Sequence, residues 1–173
     1  MKWLDKLNAD PTAWLLEEDL NNPGVRYWAL LDLVGEDASP SQVAAAQVKV
    51  MSHGPVPVIL QAQLPEGSWV DLGSVYNPKY RASVWSVSML AQLGADGKDP
   101  RVERACDYVL EHARSRYGGF SMDRSSGVTI DCLQGNLMAA MLDLGKLDDK
   151  RLIEALDWLV RSVIGKDIAP AVE

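Results

Sequence analysis

Phenylalanine is almost missing from this chain: there is one among 173 residues, against six tryptophans and five tyrosines. Nearly every aromatic ring therefore carries a polar handle, and its burial usually asks for a hydrogen-bond partner. Cysteine is also scarce. Cys106 and Cys132 form neither a disulfide framework nor a metal-binding spacing, and each sits in a helical pattern where a free thiol packs as a small hydrophobe. A reducing cytoplasm is the expected compartment. Basic charge is short as well, with 17 Lys and Arg against 24 Asp and Glu, a net charge of −7 and an isoelectric point near 4.8. That balance argues against a nucleic-acid partner, which needs a basic face to neutralise phosphates. It argues equally against an electrostatic grip on anionic membranes. No apolar run approaches the length of about 18 residues that a transmembrane helix needs. The opening Met1–Asn8 lacks the apolar stretch and cleavage site of a signal peptide.

What is present is a core-forming composition, 47% apolar, and a turn signature that recurs. Gln63-Leu-Pro-Glu-Gly67-Ser-Trp69 has the spacing Q-x-x-x-G-x-W, and Tyr117-Gly118-Gly119-Phe120 repeats its glycine-then-aromatic half 51 residues on. Leu93-Gly94 returns at the same offset as Leu144-Gly145. A period of this length, built of helix, turn and helix, marks a helical repeat architecture.

Helix starts are announced by a capping side chain before proline at Asp10-Pro11, Asn22-Pro23, Ser39-Pro40, Asn77-Pro78 and Asp99-Pro100. Stops follow at Gly35, Gly94, Gly145 and Gly165. These signals predict helices near 11–20, 23–34, 40–52, 55–64, 78–93, 100–115, 129–144 and 149–164, with no strand, so the class is all-α. Two of the helices show a single apolar stripe. One is Val102, Ala105, Cys106, Val109, Leu110 and Ala113; the other is Leu152, Ile153, Leu156, Leu159, Val160 and Val163. The helices before them, through Tyr80–Leu93 and Ile130–Leu144, are apolar around most of their circumference, which requires burial on most sides or an apolar cavity. The order inner, outer, inner, outer describes concentric helical layers.

At this point the residues resemble a known superfamily. The Gln63–Trp69 turn is similar to the QW motif of squalene–hopene cyclases and related terpenoid cyclases. The Gly118–Phe120 turn and the helix after it resemble the repeats of protein prenyltransferase β subunits. Asp131-Cys-Leu-Gln-Gly-Asn136 resembles bacterial proteins with prenyltransferase/squalene-cyclase-type repeats. The likeness covers roughly residues 55–164 and implies an (α/α) toroid, here a partial ring. It implies a structural part for Gln63, Gly67, Trp69, Gly118, Gly119 and Phe120, with amide and indole holding helix ends and turns together.

The chemistry of those families transfers poorly. The cyclases' Asp-x-Asp-Asp acid motif is missing, and Asp148-Asp149 reads as a helix cap. The prenyltransferases' zinc-holding Asp-x-Cys has only the adjacent pair Asp131-Cys132 in its place. Successive helical residues diverge by about 100°, and His53 and His112 both precede the pair. No metal and no cofactor is expected, and whether the chain is an enzyme is left open. Thioester and nucleophile-elbow motifs are likewise missing. The remaining candidates for a ligand cavity are Tyr80 and Trp85 as an apolar, π-rich wall, Arg81 as a cation at the mouth, Asp131 and Cys132, and Gln134 and Asn136. The last two are polar residues in an apolar helix and need partners if buried.

The expected organisation is an N-terminal helical segment over 1–54 continuous with toroid repeats over 55–173. Asn22–Leu33 in the first segment resembles a HEAT-type helix. With about three helical pairs a toroid stays open, so a second copy or further repeats would have to close it. Two functions follow from different classes. One is an isoprenoid- or apolar-ligand-binding toroid segment that lacks cyclase activity alone. The other is a non-catalytic repeat scaffold for a protein partner.

Overall fold

The computed structural model describes residues 6–70, 74–122 and 129–165. The fold is all-α, with no strand among the described residues. No single helix among them is long and apolar enough to cross a membrane. The chain divides into two compact units, residues 1–58 with 93–95, and residues 59–92 with 96–173.

In the first unit, α1 (Thr12–Leu15) is a single turn rather than the expected helix over 11–20. Three successive acids, Glu17, Glu18 and Asp19, would load negative charge onto the helix's C-terminal end, which its dipole disfavours. Asp19 instead accepts from the Asn21 N–H (2.8 Å) and the Asn22 amide (2.8 Å), folding the chain into a turn. α2 (Pro23–Trp28) starts with proline at its first position and runs on as a π-helical turn, Ala29–Val34, that ends at Gly35 with φ 60°. α3 (Pro40–Ser52) opens with a full capping box between Ser39 and Gln42 and packs on α2. Ala29, Leu30, Ala46 and Val50 are buried in this unit. α4 (Pro55–Gln61) follows and spans the division between the units.

The second unit holds α5 (Ser83–Gln92), α6 (Pro100–His112), α7 (Asp131–Asp143) and α8 (Lys150–Val163). α5 packs on both α6 and α7, and α7 packs on α8. The repeat is visible as recurring local geometry, at an offset of 51 residues in the glycine stops and 50 in the helix caps. Gly94 and Gly145 take the left-handed conformation at φ 80° and 76°. Asp99 and Asp149 cap α6 and α8 through the backbone N–H of Arg101 and Arg151, and the same carboxylates grip the guanidinium of those two arginines. The guanidinium holds each carboxyl below its ordinary range. Arg151 also reaches Asp107, tying α8 to α6.

Three sequence expectations need correction. Helix α5 begins at Ser83 and not at 78: Tyr80 has φ 67°, and residues 78–82 form a turn closed by the Arg81 and Ala82 N–H groups on the Pro78 carbonyl. Tyr80 and Arg81 therefore lie ahead of the helix. The stripe on α6 is buried as expected, but that on α8 is not. Leu152 is buried, whereas Ile153, Val160 and Val163 are exposed, and Ala155 and Trp158 take the inward positions. Cys106 is buried, but Cys132 is exposed rather than packed.

Candidate functional site: an aromatic cleft held by two glutamine joints

The turns come first because they position the helices. The Gln63 side-chain amide donates to the Gly67 carbonyl (3.2 Å) and, across to α6, to the Arg101 carbonyl (2.9 Å). The Trp69 indole N–H donates to the Ile59 carbonyl (2.7 Å) at the end of α4. Gly67, at φ 104°, lies so close to α6 that a Cβ would come within 2.6 Å of the Arg104 carbonyl oxygen. Only glycine serves there. The second turn behaves alike: Gly119 lies against the Trp158 ring of α8, with a Cβ placed 2.6 Å from it, and Phe120 is fully buried. Each turn is thus seated on the later helix of the hairpin it introduces.

The second turn has Arg114 where the first has Gln63, and another residue supplies the amide. Gln134 of α7 is buried; its Oε1 accepts from the Phe120 N–H (2.7 Å), and its Nε2 donates to the carbonyls of Phe120 (2.7 Å) and Ile130 (2.9 Å). The polar residue that the sequence leaves without an assignment is a joint. It does not line the cleft.

The cleft itself lies between α5 and α7, encloses about 250 Å³, and is lined by Tyr80, Trp85, Ser88, Met89, Gln92, Cys132, Leu133 and Asn136. Four of the seven cavity candidates, Tyr80, Trp85, Cys132 and Asn136, meet here. Arg81, Asp131 and Gln134 do not line it: Arg81 is exposed in the turn before α5, and Asp131 is exposed in the first turn of α7, where its charge suits the helix N-terminus. Ser88, Met89, Gln92 and Leu133 are wall residues that sequence reasoning missed. With Trp85, the first three stand at i, i+3, i+4 and i+7, one face of α5. That face lies inside the helix predicted over 78–93, and its spacing was readable in the sequence.

Aromatic packing fixes one wall. The Trp85 indole donates to the Tyr76 carbonyl (2.8 Å), and the Tyr76 and Tyr80 rings lie 5.0 and 5.1 Å from it. The Lys79 ammonium sits 5.2 Å from the Tyr80 centroid and 5.8 Å from that of Trp85, within cation–π range. Ser88 Oγ is committed to the Val84 carbonyl (2.8 Å). The wall thus offers π-faces, a thioether, an aliphatic side chain and a free thiol, with an amide at Gln92 and another at Asn136. Among the described residues no group of three or more His, Cys, Asp or Glu is arranged to hold a metal ion.

A second concavity belongs to the first unit. It encloses about 340 Å³ beside α2 and α3, with Pro23, Ala45 and Ala46 in its lining and Glu18, Asp19, Arg26 and Lys49 carrying its charge. Lys49 pairs with Glu18 at 3.3 Å. Arg101, Arg114, Arg151 and Arg161, all half-buried, each hold a carboxylate, whereas half-buried Arg26 has no ion pair among the described residues. No family model matches the sequence, and no curated protein is significantly similar to it.

Proposed function

We propose that the second unit is an arc of an (α/α) toroid that binds an isoprenoid or similar apolar molecule in the α5–α7 cleft, without cyclase turnover of its own. The observation that carries this reading is the cleft wall: the face Trp85, Ser88, Met89 and Gln92 of α5 opposite Cys132, Leu133 and Asn136 of α7, with Tyr80 at its edge. Such a wall rewards burial of hydrocarbon and makes few polar demands. The repeated turns support the toroid half of the reading, because two joints of the same kind set successive hairpins at one spacing.

The volume limits the ligand. At about 250 Å³ the cleft falls below the roughly 300–1,000 Å³ usual for sites that enclose a drug-sized molecule. It holds one end of a long chain and leaves the rest outside. Titration with farnesol and geranylgeraniol, followed by tryptophan fluorescence and native mass spectrometry, tests this. Saturable binding lost in Met89→Glu is the expected result; no saturable binding of either alcohol defeats the reading.

The second reading, a scaffold for a protein partner, is favoured by the groove in the first unit and by Arg26 beside it, which has no ion pair among the described residues. There an acidic side chain of a partner would find a cation already half-desolvated. Arg26→Ala is expected to abolish partner capture without changing alcohol binding if that reading is right.

A further inference from the structure

Two small residues open the concavity of the first unit. Gln42, Ala45, Ala46 and Lys49 stand at i, i+3, i+4 and i+7, one face of α3, and all four line it. Long side chains at the ends of that face and alanines at its middle leave a hollow of about 340 Å³ beside α2, which packs on this helix. Pro23 and Ala46, both buried, belong to its apolar part. The volume falls within the roughly 300–1,000 Å³ of sites that enclose a small molecule.

The four charges of the lining are not equivalent. Asp19 already accepts from the Asn21 N–H and the Asn22 amide, both at 2.8 Å. Glu18 and Lys49 pair with each other at 3.3 Å. Arg26 is left over. Among the described residues the other half-buried lysines and arginines, Arg101, Arg114, Lys146, Arg151 and Arg161, each lie within ion-pair distance of a carboxylate. Arg26 has neither an ion pair nor a side-chain hydrogen bond among them. Its place in the last turn of α2 suits the helix dipole, but its fork of N–H donors stays unfilled. A carboxylate matches that fork with two parallel bonds.

We infer that this hollow is a binding site for a small monocarboxylate, its charge held by Arg26 and its hydrocarbon part seated on Pro23, Ala45 and Ala46. A second negative charge on the ligand would meet Glu18 and Asp19 in the same lining and be repelled. Neither a ligand in the α5–α7 cleft nor a protein partner is needed. The scaffold reading places a partner's acidic side chain at Arg26, whereas here the carboxylate belongs to a molecule small enough to sit inside the hollow.

Isothermal titration calorimetry with hexanoate and phenylacetate at neutral pH and fixed ionic strength is the test, with hexanamide and phenylacetamide as uncharged twins. Saturable binding of at least one acid is expected, with its amide weaker by at least about tenfold, as the loss of a charged hydrogen-bonded pair implies. Arg26→Gln should weaken the acid to the same degree. Ala45→Phe, at an exposed position of the α3 face, should fill the hollow and abolish binding with Arg26 still present and helical circular dichroism unchanged. Lys98→Gln, the same charge change at an exposed site of the second unit, should bind like the parent. No saturable binding of either acid overturns the proposal, and so does an amide that binds as tightly as its acid. Binding that survives Arg26→Gln, or that Lys98→Gln weakens equally, overturns it too. A protein partner captured through Arg26 while neither acid binds would uphold the scaffold reading and defeat this one.

Discussion

Gln134 ties three backbone groups with one side chain, and that sets the cost of losing it. Gln134→Ala would leave the buried Phe120 N–H without its partner, while the Phe120 carbonyl keeps only the Ile130 N–H at 3.2 Å. An unsatisfied buried group costs about 1–3 kcal/mol, so a loss of roughly 1–3 kcal/mol is expected in urea unfolding. A near-neutral change would mean that the joint does not hold the second turn. Trp69→Ala at the first joint should cost about 3 kcal/mol, the lower end for a large aromatic ring, because Trp69 is only half-buried. The two cysteines should separate cleanly. Burial pushes the Cys106 thiol up to about 12, so it stays protonated and shielded in the folded protein, whereas Cys132 is exposed at the cleft. At pH 8 a maleimide should label one thiol in the native chain and two after denaturation. Rapid labelling of both in the native state would contradict the burial of α6.

At the scale of the elements, the caps of α6 and α8 give a pH dependence with a definite sign. The Arg101 and Arg151 side chains bond to Asp99 and Asp149 and lower their folded pKa below the unfolded value. The stabilisation is therefore fully present above the unfolded carboxylate pKa of about 3.9 and is lost as pH falls through the lower folded values. Asp149→Asn keeps a capping side chain but removes the ion pair. It should reduce stability at pH 7, and the difference from the parent should shrink between about pH 4 and pH 2. A difference in thermal midpoint that holds constant to pH 2 would contradict this.

The elements also show how far the sequence could be read. Helices with a true cap, α3 and α6, begin where the side-chain signals place them, because Ser39 and Asp99 bond the first backbone N–H groups. Asn77-Pro78 carries the same signal and starts no helix. A capping residue before proline describes a local dihedral preference, and the turn through Tyr80 takes the chain elsewhere. The α8 stripe misleads for another reason: apolar spacing shows that a face can be buried, not that a partner lies over it. In the cleft, the aromatic residues were visible by type. The face Trp85–Gln92 was present in the predicted helix, but only the packing of α7 against α5 distinguishes it from the other apolar faces of that helix. Gln134 was visible as an anomaly, and its partner, the backbone of Phe120, carries no side-chain signal at all.

Over the whole molecule, two concave surfaces belong to different units and have different chemistry. The α5–α7 cleft is aromatic and aliphatic, with its polar groups confined to two hydroxyls, an indole N–H, two amides and a thiol; the groove beside α2 and α3 has four charged residues in its lining. An apolar ligand and an acidic partner would therefore perturb separate sets of residues. The most direct measurement is an amide and methyl chemical-shift titration of the isotope-labelled chain with farnesol. Saturable shifts confined to Trp85, Ser88, Met89, Gln92, Leu133 and Asn136 are expected. Shifts at Arg26, Ala45 and Lys49 instead, or none that saturate, would contradict the claim that the second unit is built to hold an apolar molecule.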